Sequence, residues 1–563
     1  MRRPMFWILT AAAMAVLLGG ITYAVLWPGY LAPALAGAIE ARTGKPARFT
    51  GGAQLLLWPA PAVVLHGLSI GPADDPLLTA ESLTVTTTLE ALLHRRADIK
   101  ELALDAPRLS LKIAADGAAN FDLGEATGEG LLISAANGTL VYSDARNSQT
   151  FEATEVTATG LFGNEGPSLQ ARGGFVWNRQ AATYSGFLKS LSRLAGDGSP
   201  VSFGIDAPTG TFSLVGRAAV KRGFNLAGEV AITSPDLRAS LKWLGMPHGG
   251  TRGLQNFSID GALDATPDYL AFKQLEIGID GMAALGDLKI TRPTQGAAIS
   301  GKLYFDAFDT TPYFDARVGN TWSADPIDLA WLDGYSATLA LSAKSLIAAP
   351  WKTGPIAADL TIADGRMDIA TKSFAEADGT ATLSTSIWRD GKTMAMEARA
   401  GFTGVDASLY APRVKGKTDV AVNIAATGAS VEEWISRLSG TASVKLAGGA
   451  LAGFDLARLL SAAPIATIAP ADGAATADLK VSARFKIADG IMTTEDTVIV
   501  APGVALAAKG DIDLLRRAID MTLTLQGANA PLALSGPWAT PGLAPLPPEG
   551  GTGDKTDAET KTP

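Results

Sequence analysis

Period-two alternation of apolar and polar residues, renewed after every short turn from about residue 50 onward, constrains this chain more than any other feature. Leu83 and Val85 alternate with Thr84, Thr86 and Thr88. Leu102 and Leu104 are followed, past Pro107, by Leu109, Leu111 and Ile113. Phe257, Ile259, Gly261 and Leu263 repeat the pattern, as do Ala442, Val444 and Leu446, and Ile519, Met521, Leu523 and Leu525. One apolar and one polar face per strand is what a half-buried antiparallel sheet requires. Asp-Gly pairs begin at Asp116, Asp197, Asp333, Asp364, Asp378, Asp390, Asp472 and Asp489, and Asn137-Gly138 adds another. Such pairs accept the positive φ of tight turns, so a succession of hairpins is expected. Residues 286–290, 301–305 and 510–514 each start with Gly and then alternate, a self-similarity without an exact period.

Helical patterns are few and short. Residues 34–43 are expected to form an amphipathic helix ended by Gly44, and 89–94 a turn or two. The stretch 236–244 sets Leu237, Leu241 and Leu244 on one side, and 431–438 and 454–460 look similar. Ser234 and Ser430 are the expected N-caps of two of these helices.

The N-terminus has membrane character. Arg2 and Arg3 precede an uncharged run of 23 residues, 5–27, longer than the ~20 that cross a bilayer core. Trp7 lies near one end, and Tyr23 and Trp27 near the other, as interface aromatics do. An uncleaved span with a cytoplasmic N-terminus is expected. The alternative is a cleaved signal peptide, whose apolar region is usually only about 7–15 residues; Ala34-Leu35-Ala36 would be its cleavage site. No second comparable stretch follows. At the other end, 541–563 is rich in Pro and Gly and then charged, and is read as a disordered tail.

The chemical inventory excludes several classes. A net charge of −9 over 563 residues argues against a nucleic-acid binder and against adhesion to anionic lipid by charge alone. The absence of cysteine removes disulfides, thiolate zinc sites, iron–sulfur clusters and cysteine nucleophiles. The three histidines, His66, His94 and His248, form no pair at metal-ligand spacing. There is neither a Gly-x-Ser-x-Gly elbow nor a phosphate-binding loop with its lysine. The Asp-Gly pairs lack the clustered acids of a calcium loop. No catalytic residue, metal ligand or cofactor is assigned, and an enzyme is not expected.

With so few helices to cover it, the apolar side of the sheet must close on itself or curl. It is then either a filled core or an open groove for acyl chains or a hydrophobic polypeptide. Alternation alone leaves both open.

Two blocks carry a family resemblance. The first has Thr43-Gly44-Lys45-Pro46, Trp58-Pro59-Ala60-Pro61, Leu68-Ser69-Ile70-Gly71-Pro72, Ala80-Glu81-Ser82-Leu83 and Leu89-Glu90-Ala91-Leu92-Leu93. It continues with Leu102-Ala103-Leu104-Asp105-Ala106-Pro107-Arg108-Leu109, then Asp116-Gly117 and Asn120-Phe121. The second has Leu438-Ser439-Gly440-Thr441, Gly448-Gly449-Ala450-Leu451-Ala452-Gly453-Phe454-Asp455-Leu456 and Phe485-Lys486-Ile487-Ala488-Asp489-Gly490. Gly510-Asp511-Ile512-Asp513-Leu514 and Pro531-Leu532-Ala533-Leu534-Ser535-Gly536-Pro537-Trp538 close it. In this order and spacing the chain resembles the AsmA family of Gram-negative envelope proteins, from the N-terminal run to about residue 541. Residues 171–420 match in style only.

The resemblance implies a mainly β fold: an N-terminal transmembrane helix, then a long antiparallel sheet curled into an elongated groove with a few short helices, similar to eukaryotic bridge-like lipid transfer proteins. It implies an anchor at 1–27, an N-terminal module at 28–170, a central repeat region at 171–420 and a C-terminal module at 421–540. About 30–40 strands spaced about 4.8 Å apart would form a ribbon on the order of 150–190 Å. The implied location is the inner membrane with a periplasmic body. The implied partners are phospholipids and an outer-membrane or periplasmic protein, and the implied role is phospholipid traffic that supports the outer membrane. An accessory role in outer-membrane protein assembly, or a passive scaffold, is the alternative. The family has no known catalytic residues to carry over. Candidate groove residues are Val63, Leu65, Leu83, Val85, Leu102, Leu104, Leu109, Leu111 and Ile113, each of which also reads as ordinary core.

Overall fold

The computed structural model describes Met14 and residues 31–546, apart from 95–98, 117, 121–130, 146–148, 163–167, 191–192, 195, 221–224, 247–251, 292–296, 314–316, 319–320, 328, 349–350, 377–378, 392, 410, 466 and 528–529. The fold is mainly β, 65% strand against 9% helix, so the sheet itself must supply most of the core. Among the described residues no helix is long and apolar enough to cross a membrane. Apart from Met14, the expected span at 5–27 lies outside the described residues.

Two compact units divide the chain. One comprises 1–247 with 255–279, the other 248–254 with 280–563. The expected module limits at 170 and 420 both fall inside strands. Residue 170 lies inside the strand Leu169–Trp177 and residue 420 inside Lys417–Gly428, each paired on both sides.

The first unit contains one sheet of fifteen strands, from Ala47–Phe49 to Tyr269–Ile279. Strand pairing is antiparallel with one exception: Leu132–Asp144 runs parallel to Glu101–Asp105 and Arg108–Ile113. The sheet of the second unit has sixteen strands, from Met282–Thr291 to Gly542–Pro545. Its exception is Ala297–Phe305, parallel to Tyr335–Ala343. The purely antiparallel expectation is corrected at these two joints. A parallel neighbour needs a crossover of a dozen or more residues, and the connections there, 114–131 and 306–334, have 18 and 29. Asn120 starts the first crossover by clamping strand Arg108–Ile113: its Oδ1 accepts from Lys112 N at 2.8 Å and its Nδ2 donates to Ser110 O at 2.9 Å.

Several turn pairs do what their chemistry predicts. Asp364-Gly365 (φ +51° and +71°) and Asp489-Gly490 (φ +48° and +75°) close two-residue hairpins. Others do not. Asn137-Gly138 lies inside the strand Leu132–Asp144, where Asn137 takes φ +55° at a bulge between Ala135 and Gly138. A bulge uses the same left-handed conformation as a turn, so the dipeptide cannot distinguish them. Asp333-Gly334 ends the 3-10 helix Ala330–Gly334. Asn178-Arg179 makes a hairpin that alternation did not flag (φ +46° and +65°).

Helices form at Leu31–Thr43, Leu89–Leu93, Leu237–Trp243, Val431–Ser436 and Leu456–Ser461. Gly44 (φ +64°) stops the first. Ser430 caps its helix as expected, its hydroxyl accepting from Glu433 N. The cap of Leu237–Trp243 is Asp236, not Ser234. Ser234 is withdrawn into a side-chain contact with Ser240 at 2.8 Å and donates to Thr209 O at 3.0 Å. The reading of 541–563 as a disordered tail is corrected at its start only: Gly542–Pro545 pairs with Leu532–Pro537, and Leu543 is buried, while 547–563 lie outside the described residues. A strand so short carries too little alternation to be recognised.

Gly216 and Gly228 face each other across two strands of the first unit. A Cβ on Gly216 would lie 2.1 Å from Ala227 O, and one on Gly228 2.3 Å from Val215 O. The two backbones therefore approach more closely than any side chain permits. Gly216→Val is expected to destabilise the protein by about 1–3 kcal/mol. Gly174→Val, whose Cβ would meet nothing closer than 3.4 Å, should cost clearly less, as urea unfolding midpoints will show.

Candidate functional site

Residues opposite each other in paired strands share a face. In the first unit Leu65, Leu83, Leu104, Ala135, Ala158 and Gly173 follow one another across six strands. The row continues through Tyr184, Ile205, Phe212, Ile232, Ile259 and Ile277. A second row on the same face holds Val63, Val85, Leu102, Ile133, Gly160, Ala171, Gly186, Phe203, Leu214 and Val230. The intervening row, on the other face, reads Thr84, Ala103, Ser134, Thr159, Arg172 and Ser185. One face of this sheet is thus apolar over its whole length.

That face is covered unevenly. At its start the helix Leu31–Thr43 lies on it, with Leu31 and Leu35 in one buried cluster with Val63, Leu65, Leu68, Leu83 and Val85. Toward the end Leu214, Val230, Leu263 and Ala265 form another cluster. Between them, among the described residues, no helix occurs from Leu93 to Leu237. Ile133, Ala135, Ala158 and Ile205 are only half-buried there, and Phe203 is 38% exposed. The hydroxyl of Tyr184 donates to Thr157 O at 3.3 Å, and burial pushes its pKa up.

The second unit repeats the pattern. Leu288, Gly301, Leu339, Leu360, Ile369, Thr385 and Ala398 make one row. It continues with Ile424, Gly440, Ile487, Met492, Ile512 and Ile519. The opposite face carries charge, with Lys372 on Asp359 at 2.7 Å and Arg484 on Asp496. Such exposed pairs contribute at most about 1 kcal/mol each. The helix Val431–Ser436 covers part of the apolar face, and its Trp434 is buried with Nε1 donating to Met394 O at 3.1 Å.

Beside this helix-covered patch lies a cavity of about 550 Å³, within the usual range of ligand pockets. Its floor is Phe402, Val420, Val444, Leu446, Val481 and Ile499, from five successive strands. Its rim is Ala407, Ala411 and Val414 on one side and Leu451 and Leu456 on another. Thr418 is the one polar lining residue, and its buried Oγ1 has no hydrogen-bond partner. The rim at 407–416 is fixed by main-chain bonds from Ala407 N to Gly416 O (2.9 Å) and from Val414 N to Ala411 O (2.8 Å). Asp406 starts this loop. Hydrogen bonds from the Ser408 N–H and hydroxyl, with help from the Gly416 N–H and the Lys415 charge, outweigh burial and hold its carboxyl below the ordinary range. The segment past Leu456 crosses the face as a cover: Ile465 exchanges two main-chain hydrogen bonds with Leu543 (2.6 and 2.7 Å), and Ile468 N donates to Pro541 O at 2.7 Å.

The residues singled out from the sequence fall into two groups. Val63, Leu65, Leu83 and Val85 are at most 3% exposed, packed under the N-terminal helix. Leu102 and Leu104 pack against the same cluster but are half-buried, as are Leu109, Leu111 and Ile113. Protein atoms therefore already fill the space over the first four. His66 is half-buried and its Nε2 has no hydrogen-bond partner. The cavity residues were missed. Their signal was present in same-face sets such as Val420, Val422 and Ile424, and Val481, Ala483, Phe485 and Ile487. Periodicity does not reveal which such sets are left uncovered.

Fold and cavity together define a β-sheet protein whose two units each carry an apolar sheet face, the second with a ligand-sized apolar chamber. Residues 406–497 match the model of the AsmA family. That match supports an AsmA-family protein and is consistent with an envelope-related function. All lining residues of the cavity except Phe402, Val405 and Ile499 lie inside the matched segment. No curated protein and no solved structure matches the chain.

Leu65→Ala should destabilise by about 2–5 kcal/mol, because it hollows a sealed core. Leu111→Ala, at a half-buried position, should cost about 1 kcal/mol; thermal unfolding of both variants checks the contrast. Because the folded Asp406 carboxyl titrates below its unfolded value, its contribution to stability is complete above about pH 4 and is lost as pH falls further. Asp406→Asn is therefore expected to lose less stability than the parent between pH 6 and pH 3, measured by urea denaturation.

Proposed function

We propose that this protein binds phospholipid by its acyl chains along the apolar face of the sheet and passes it between the membranes of the envelope. Headgroups stay in water while the chains lie on the apolar rows. In this reading the run 5–27 anchors the chain in the inner membrane, the sheet lies in the periplasm as an acyl-chain groove, and lipid moves toward the outer membrane. A protein partner there receives it. The role is that of a carrier rather than a catalyst.

The observation that carries the proposal is the 550 Å³ chamber whose lining is apolar but for Thr418. An apolar lining selects an apolar ligand by the area it removes from water, about 25 cal/mol per Å². The unpartnered Thr418 hydroxyl supports a ligand with one acceptor, such as an ester carbonyl, because a buried hydroxyl without a partner costs about 1–3 kcal/mol. The half-buried row through Ile133, Ala135, Ala158 and Ile205 adds an uncovered apolar surface in the first unit.

The test is lipid mass spectrometry on the purified full chain beside its Val444→Trp variant. Val444 lines the chamber and is half-buried, so an indole there fills space without opening the sheet. The parent is expected to carry phospholipid well above a periplasmic control protein. The variant should carry markedly less with an unchanged circular dichroism spectrum and melting temperature. A folded, lipid-free parent, or equal lipid in both, overturns the proposal.

A further inference from the structure

We infer that one end of the first unit, formed by the 57–61 turn and the short helix Leu89–Leu93, lies in the headgroup interface of the bilayer that holds the N-terminal run. Four large apolar side chains are exposed there: Trp58 at 86%, Leu57 at 53%, Leu89 at 48% and Leu56 at 44%. None of them is needed by the core, and an exposed cluster of this kind marks a surface that meets something apolar.

Strand pairing places these residues together. Leu56 stands opposite Ala62, and Ala62 opposite Thr86. Thr87 N then donates to Pro61 O at 3.0 Å, so the chain that becomes helix Leu89–Leu93 leaves the sheet beside the turn. The helix itself is tied to this exit, because Thr88 Oγ1 accepts from Ala91 N at 3.1 Å.

The same end receives the chain from its N-terminal side. Leu31, the first residue of helix Leu31–Thr43, belongs to the buried cluster that holds Val63 and Val85, next to the turn. The helix ends near the far end of the strand, where Ala47 stands opposite Ile70. The strand segments Ala47–Phe49 and Ala53–Leu56 then lead back to the turn. Only four residue steps separate Trp27, the last residue of the apolar run, from Leu31, a reach of at most about 14 Å.

The occupant is therefore a bilayer rather than a soluble protein. A chain that leaves a membrane at Trp27 cannot carry the turn far from it. Trp combines a large apolar ring with an N–H that stays hydrated, which suits the headgroup region. Two leucines beside it supply the shallow apolar insertion of an interfacial anchor. The inference rests on the anchor reading of 5–27 proposed above. It does not depend on lipid occupying the chamber.

The absence of cysteine makes the test direct. Leu57→Cys, Leu89→Cys and, as a control, Val215→Cys (64% exposed in the parent) are labelled with the environment-sensitive fluorophore NBD. The full-length chains are reconstituted into phosphatidylcholine–phosphatidylglycerol vesicles, with and without headgroup-proximal nitroxide lipids. Labels at 57 and 89 are expected to emit at shorter wavelength and to be quenched several-fold more than the label at 215. Equal quenching at all three positions, in protein that floats with the vesicles and resists carbonate extraction, overturns the inference and leaves the anchor standing. Protein that carbonate releases overturns both. Circular dichroism confirms that each labelled chain is folded.

Discussion

Cross-strand register is the constraint on which the rest of this structure depends. Side chains alternate with a period of two, so a slip of one residue would move a strand's whole apolar set to the wrong face. The chain contains many places where this could happen, because its strands carry irregularities between Asp260 and Ala262, Phe402 and Val405, and Ser482 and Lys486. Each bulge absorbs its extra residues locally, and the apolar row resumes beyond it. The floor of the chamber shows the result. Its six side chains come from five strands spanning about a hundred residues of sequence, and they converge only because four successive registers hold together.

The distribution of cover over the apolar face is the second organising feature. Sheets of this kind normally bury their apolar side under helices or another sheet. Here helix Leu31–Thr43 seals the beginning of one face, and Trp434 with its helix seals part of the other. The stretch around Ile133 and Ile205 has no such cover among the described residues. Contiguous apolar surface left half-open carries a free-energy cost in water. An amphiphile that supplies the missing layer removes that cost, and its own chains gain by the same term.

Much of this was legible from the residues alone. Alternation identified the strands around Leu83, Leu104, Leu263, Leu446 and Leu523, and Gly44, Ser430 and Asp489-Gly490 marked ends and turns correctly. These are local features, set by the nearest few residues. What was not legible is set by distant ones. The parallel joints depend on how long connections return to the sheet, which no period records. Asn137-Gly138 has the chemistry of a turn and sits in a bulge, because both need the same backbone conformation. Val63 and Leu65 look the same in sequence as Leu109 and Leu111. The helix that covers the first pair is a separate segment, so the difference between filled and open space is a tertiary fact. The chamber was missed for the same reason: its walls are ordinary strands, and only the placement of the 407–416 loop and the 456–468 segment leaves a void between them.

The fastening of that last segment has a consequence for kinetics. The cover is held to the final strand by a few main-chain bonds, the Ile465 and Leu543 pair and the contact of Ile468 with Pro541, while the floor is held by whole ladders. Breaking the first set uncovers the apolar side chains that the segment packs on the core, Ile465 and Ile468 among them, but leaves every ladder of the floor intact, so it is a local event. Movement of this segment and unfolding of the sheet beneath it are therefore distinct events, one local and one global. The lifetime of the cover and the lifetime of the fold become separate quantities, set by different bonds.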